Sequence, residues 1–265
     1  MRIATERIDV GAARLELLSC GRGSAVLLLP SLGRGATDFE GLMLDLAGAG
    51  FRALALNPRG IGASEGTTDG ITLHDLARDA AETIAACTDG AAHVVGHAFG
   101  HRVACCLAVD HPARVRRLVL LGAGGLVEAD REASAAFKHF FTPSLTRAER
   151  YEDIKTANFA ACSDASPWLE GWWPDAVPAQ IQAAKATPHE EWWRSGTADI
   201  LIVQGLQDRM APPQNGRTLA RLLGSRVRLV EVEDAGHALL PEQPERVSAE
   251  VLRFLAESEE SRSAS

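Results

Sequence analysis

Val94-Val95-Gly96-His97-Ala98-Phe99-Gly100 is the stretch on which the reading of the chain turns. A short apolar run ends in Gly-x-x-x-Gly, and a helical pattern starts at once at Phe99. It runs to about His111, where Pro112 stops it. The pattern is a strand, a sharp turn and a helix within a few residues, with two glycines that let backbone segments crowd together. At the apex stands Ala98, whose side chain is one methyl group.

Outward from this turn, strand and helix patterns alternate. Arg2–Asp9 and Ala13–Leu18 suggest two strands joined at Gly11. Ala25–Leu29 is a continuous apolar run, as expected of a strand covered on both faces, and it ends in the loop Pro30-Ser31-Leu32-Gly33-Arg34-Gly35. A helix follows from about Asp38 to Ala49, then a strand over Phe51–Leu56 and the turn-rich loop Asn57–Ser64. Thr72-Leu73-His74-Asp75 matches a capping box for a helix reaching about Thr88. Leu118–Leu121, Ile200–Gln204 and Val227–Val232 are further strands, with helices expected at about Pro213–Leu223 and Pro244–Leu255. Such alternation predicts a mostly parallel, doubly wound α/β sheet with right-handed crossovers. Its ligand site should lie outside the carboxyl ends of the strands. The alternation lapses over 126–196, which is helical in pattern and holds all five tryptophans. The expected organisation is a core of 1–125 and 197–258, a helical lid of 126–196, and a disordered tail of 259–265.

The 265 residues and 46% hydrophobic content suffice for one sizeable core. A net charge of −8 gives no reason to expect nucleic acid or an anionic membrane as partner. The five cysteines are odd in number and lack metal-ligand spacing, so they read as reduced thiols of a cytoplasmic protein. No apolar run approaches membrane length. No dinucleotide fingerprint follows a strand, and no metal-ligand cluster occurs, so no cofactor and no metal are expected. The oligomeric state stays open, a homodimer included.

Three further loops carry the chemistry. Gly205-Leu-Gln-Asp208 follows one strand, Gly236-His237 follows the last, and Asn57-Pro-Arg-Gly-Ile-Gly-Ala-Ser64 follows an earlier one. Together with Gly96-His-Ala-Phe-Gly100 they resemble the α/β-hydrolase superfamily over nearly the whole chain outside 126–196. The resemblance maps the nucleophile elbow onto Ala98, the acid onto Asp208 and the histidine onto His237. It implies that Asp208 orients His237 as general base, and that the N–H groups of Leu32 and Phe99 form an oxyanion hole. Ser31, His97, His139, Trp168 and Trp172 are weaker candidates for substrate contact. His101, Arg102, Cys105 and Cys106 on the elbow helix are read as structural.

The resemblance departs at the elbow itself, where alanine stands in place of serine. Either an esterase or carbon–carbon-bond hydrolase had its serine replaced, or alanine is native. The family's His-Gly is Pro30-Ser31 here, its usual Asp is Asn57, and a frequent His is Ile61. Several departures together suit a divergent branch better than one edit. A native alanine leaves a base and an anion hole, suited to proton transfer beside a carbonyl: isomerase, lyase or cyclase chemistry on a small, largely apolar carbonyl compound. A non-catalytic small-molecule binder is the remaining alternative.

Overall fold

A computed structural model describes the backbone of residues 1–263 and the side chains as far as Glu257. Eight strands form one sheet: β1 Ala4–Val10, β2 Ala13–Gly21, β3 Ala25–Leu29, β4 Arg52–Leu56, β5 Ala92–His97, β6 Val115–Leu121, β7 Asp199–Gly205 and β8 Val227–Val232. Their order is β1-β2-β4-β3-β5-β6-β7-β8. The β1–β2 and β2–β4 pairs are antiparallel, and every pair from β4–β3 to β7–β8 is parallel. This is the doubly wound, mostly parallel sheet that the alternation predicts.

The central strands are apolar without interruption because both faces are covered. Along β3, Leu27 and Leu29 join one core cluster and Val26 and Leu28 the other. Val94 and Val95 of β5 divide the same way, as do Leu118 and Val119 of β6. The period of two thus sends alternate side chains into two separate cores. One core lies under α2 (Leu73–Cys87) and α3 (Phe99–Asp110). The other lies under α1 (Glu40–Gly48) and the C-terminal helix. The Thr72–Asp75 capping box of α2 is present with both reciprocal hydrogen bonds.

Between β6 and β7 the chain leaves the sheet for α4 (Arg131–His139), α5 (Arg147–Asn158) and α6 (Val177–Ala186). This insertion has a small core of its own around Phe140, Ile154, Phe159 and Trp168. After β7 come α7 (Gln214–Leu223), then, beyond β8, the short α8 (Leu239–Glu242) and α9 (Pro244–Ser263). α9 runs eight residues past the end expected near Leu255, since Val251, Phe254 and Leu255 seat it on the sheet and no breaker follows. Of the tail expected at 259–265, residues 264 and 265 lie outside the described residues. Among those described, no helix is long and apolar enough to cross a membrane.

Two charged contacts are among those that pin the insertion to the core. Arg34, in the loop after β3, is buried and pairs with Asp38 at 2.8 Å. Its guanidinium carbon lies 4.8 and 4.7 Å from ring centroids of Trp168 and Trp172. At the other end, His74 of α2 sits between Asp110, at 2.6 Å, and Glu191 of the insertion, at 2.8 Å. Carboxylates only accept, so both His74 nitrogens carry protons. Burial opposes that charge, but the hydrogen bonds to Asp110 and Glu191 outweigh it and raise the pKa.

A raised folded-state pKa contributes stability that is full below about pH 6.5, the ordinary histidine value, and is lost as pH climbs through the raised value. His74→Gln should therefore flatten the fall of Tm with pH above that point, as thermal melts across the range would show. Parallel curves for the two proteins would contradict the double ion pair.

Candidate functional site

The turn between β5 and α3 is built by close approach. A Cβ on Gly96 would lie 2.4 Å from the carbonyl oxygen of Gly100, and a Cβ on Gly100 would lie 2.1 Å from that of Leu29. Only glycine fits either place. Between them Ala98 adopts φ 50°, ψ −107°, a region that costs a residue with a Cβ on the order of 1–3 kcal/mol. The Ala98 N–H holds the carbonyl of Leu121 at 2.9 Å, tying the apex to β6. The strain of a nucleophile-bearing elbow is present although the hydroxyl is not.

Asp208, in the loop after β7, and His237, in the loop after β8, meet at 2.9 Å between Oδ2 and Nδ1. The Asp208 side chain is wholly buried. Its Oδ1 accepts the Ala211 N–H at 2.7 Å, and Oδ2 also accepts from Gln204 at 3.3 Å. Both Asp208 oxygens act as acceptors, so the proton of the His237 contact sits on Nδ1, and the neutral ring keeps its lone pair on Nε2. No described residue supplies a partner to that Nε2. Gly122, at φ +60°, passes close beneath the pair, and a Cβ there would stand 3.4 Å from both groups.

His237, Ala98 and Phe99 line one cavity of about 310 Å³, together with Ser31, Leu32, Phe137, Ile181 and Met210. Among the described residues, the backbone N–H of Phe99, at the first position of α3, has no carbonyl acceptor, and neither has that of Leu32. The turn that presents Leu32 is held from the insertion. Gly33 N–H donates to Gln180 of α6 at 2.7 Å, and Trp173 N–H donates to the Gly33 carbonyl at 2.8 Å.

The remaining expected residues divide. Ser31 lines the cavity. His97 does not: it is buried beneath His237 and donates from Nε2 to the His237 carbonyl at 2.8 Å. Burial and the neighbouring His237 push its pKa down to about 3, so it packs as a neutral ring. His139 lies away from the cavity because Asp153 holds it at 2.7 Å on the exposed face of α4. Trp168 and Trp172 are also outside the lining, because they cover the buried Arg34.

Two residues read as structural do line the cavity. His101 donates from Nδ1 to the Ala98 carbonyl at 2.6 Å, and its Nε2 is buried with no partner. Burial, then the charge of Arg102, brings its pKa down to about 3. Arg102 lies beside it. The signal for Arg102 was its place on the first turns of the helix that follows the elbow, three residues beyond Phe99. Cys105 is buried, its thiol pushed up to about 12 by desolvation. Among the described residues no group of three or more His, Cys, Asp or Glu is placed to hold a metal ion.

A model of the alpha/beta hydrolase family matches residues 26–250. The chain is 28% identical over 281 residues to a 2-hydroxymuconate semialdehyde hydrolase of Pseudomonas sp. strain CF600, covering 97% of this chain and 95% of that one. It is 24% identical over 240 residues to a non-heme chloroperoxidase of Streptomyces lividans, covering 83% and 87%. A solved mutant of the meta-cleavage product hydrolase CumD from Pseudomonas fluorescens IP01, complexed with acetates, superposes with a TM-score of 0.79 at 21% identity. That match covers 96% of this chain and 98% of the other.

Gly100→Ala should destabilise the protein by about 3 kcal/mol or more, roughly 6–12 °C in Tm, because the new methyl meets rigid backbone of β3. Thermal unfolding reads this directly, and an unchanged Tm would refute the close approach.

Proposed function

The chain belongs to the alpha/beta hydrolase family, and from that premise we propose that it is an enzyme of proton transfer on a small, largely apolar carbonyl compound. The observation that carries this is the intact 2.9 Å pair of Asp208 and His237, with His237 lining a cavity in which Ala98 offers no nucleophile. Asp208 keeps the His237 proton on Nδ1. Nε2 removes a proton from the carbon beside the substrate carbonyl, and the C–H electron pair becomes the enolate C=C bond. The carbonyl π pair moves to oxygen, where the N–H groups of Leu32 and Phe99 hold it. Return of the proton to another atom, or loss or attack of a neighbouring group, completes an isomerase, lyase or cyclase reaction.

In this reading the insertion at 126–196 is a lid, and Ala98 is native. The loop around Asn57 supports the second point. Asn57 Oδ1 accepts the Ala36 N–H at 2.7 Å, while Nδ2 donates to Glu16 at 2.7 Å. An ionised Asp at 57 would set two carboxylates together, so this departure is matched by its neighbour. The five cysteines are unpaired, which supports a reducing, cytoplasmic setting.

Two assays separate this reading from its rivals. In deuterium oxide the protein should catalyse exchange of the acidic hydrogens of benzoylacetone, followed by proton NMR. His237→Ala should lower that rate about 100-fold or more. With p-nitrophenyl acetate the protein should be inactive and Ala98→Ser should gain turnover. Ester turnover by Ala98→Ser with no exchange by the parent would point to a hydrolase that lost its nucleophile. Absence of both activities would point to a binder.

A further inference from the structure

We propose that Arg102 is the anion-binding residue of the cavity, and that the substrate carries a carboxylate a few bonds from its reacting carbonyl. The proposal rests on the reading of this cavity as the substrate site.

The first observation is a missing partner. Among the described residues, the other arginines that are not exposed all donate to an oxygen. Arg34 reaches Asp38, Arg52 the Cys87 carbonyl, Arg59 Asp79, and Arg114 the Gly90 carbonyl. Arg116 reaches Asp89, Arg117 the Phe254 carbonyl, Arg150 the Phe140 carbonyl, Arg209 Asp130, and Arg226 the Ala198 carbonyl. Arg102 is as withdrawn as these and makes no hydrogen bond or ion pair with any described residue. Its guanidinium carbon lies 5.8 Å from the Trp192 ring centroid, a contact that offers no lone pair. Burial draws its pKa below the ordinary value. A desolvated cation without counter-charge is costly to keep, and here its free face borders a cavity.

The second observation is the charge of that cavity. The chain is acidic, at −8, yet the cavity wall includes Arg102 and Lys185 and no Asp or Glu. Asp208 stands behind His237 and outside the lining. Lys185, exposed on α6, adds positive potential at the rim. The rest of the wall is mainly apolar, with Leu32, Phe137, Ile181 and Met210.

Position supplies the spacing. Arg102 follows Phe99 by three residues on α3, so the two lie on one side of the helix, about 4.5 Å apart along its axis. A carbonyl held at Leu32 and Phe99 therefore leaves room for a short link to a charged group at Arg102. The planar fork of guanidinium matches a carboxylate through two parallel N–H donations.

Calorimetry with 4-oxo-4-phenylbutanoate and its neutral amide tests this without requiring turnover. The acid should bind about tenfold or more tighter than the amide, the discrimination of one charge-assisted pair. In Arg102→Met the preference should vanish while the amide binds as before, and Arg102→Lys should restore part of it. Thermal melts of both variants check the fold. Equal binding of acid and amide, no saturable binding of the acid, or a preference that survives in Arg102→Met would overturn the proposal. Phenyl phosphate binding more tightly than the acid, with the same dependence on Arg102, would overturn the carboxylate assignment. An Arg102-dependent preference in a protein that exchanges no protons would sink the proton-transfer reading and keep this one. Exchange on benzoylacetone with no preference for acid over amide would do the reverse.

Discussion

Crowding at the elbow sets the rest of the molecule. Gly96 and Gly100 bring β5, α3 and the end of β3 so close that no side chain fits between them. That approach puts the Phe99 N–H beside the loop that carries Leu32. It also forces Ala98 into a backbone state that alanine disfavours. The strain persists with only a methyl at the apex. Its upkeep is shared by the Ala98–Leu121 hydrogen bond and by His101, whose ring grips the Ala98 carbonyl. A site that had lost all use would be free to relax this turn, because the sheet needs β5 to end there but does not need the residue after it to be strained.

The Asp208–His237 pair is built to the same standard. Asp208 has its oxygens supplied by Ala211, Gln204 and His237, and His97 fixes the His237 backbone from beneath. A buried carboxylate with this many donors is expensive to assemble and gives little to stability that apolar packing could not match. Its completeness is the physical ground for treating the pair as working chemistry. In the proposed function, alanine at 98 then changes which chemistry, since a base with an anion cradle and no attacking oxygen favours proton movement over acyl transfer.

Much of this was legible in the residues themselves. Ala25–Leu29 marks its strand to the residue, because a buried parallel strand is an apolar run with turn residues at each end. Val227–Val232 does so as a valine-rich edge strand broken by Arg228 and Glu231. Thr72 and Asp75 announce their helix because a capping box is a local, reciprocal hydrogen-bond pattern. Asp208 and His237 are recognisable only because their glycine-bearing loops, taken together with the elbow, resemble the α/β-hydrolase pattern. The insertion was far less legible. Its tryptophans all look alike in sequence, and nothing local says that Trp168 and Trp172 cover Arg34 while Trp192 lies against His101 and Arg102. His139 and Asp153 are fourteen residues apart, and only the packing of α4 on α5 brings them together. Arg102 was read as structural for the opposite reason. A lone arginine on a helix shows no ligand role until the partners of the other arginines are known.

The attachment of Gly33 to Gln180 and Trp173 has a consequence for how this scaffold diversifies. The segment that shapes the cavity also holds the turn presenting one of the two free amides. In the proposed reaction, changes in α6 that reshape the pocket for a new compound also shift the amide assigned to the developing negative charge. Under that reading breadth of acceptance and speed of reaction are mechanically linked, and drift in one does not leave the other untouched.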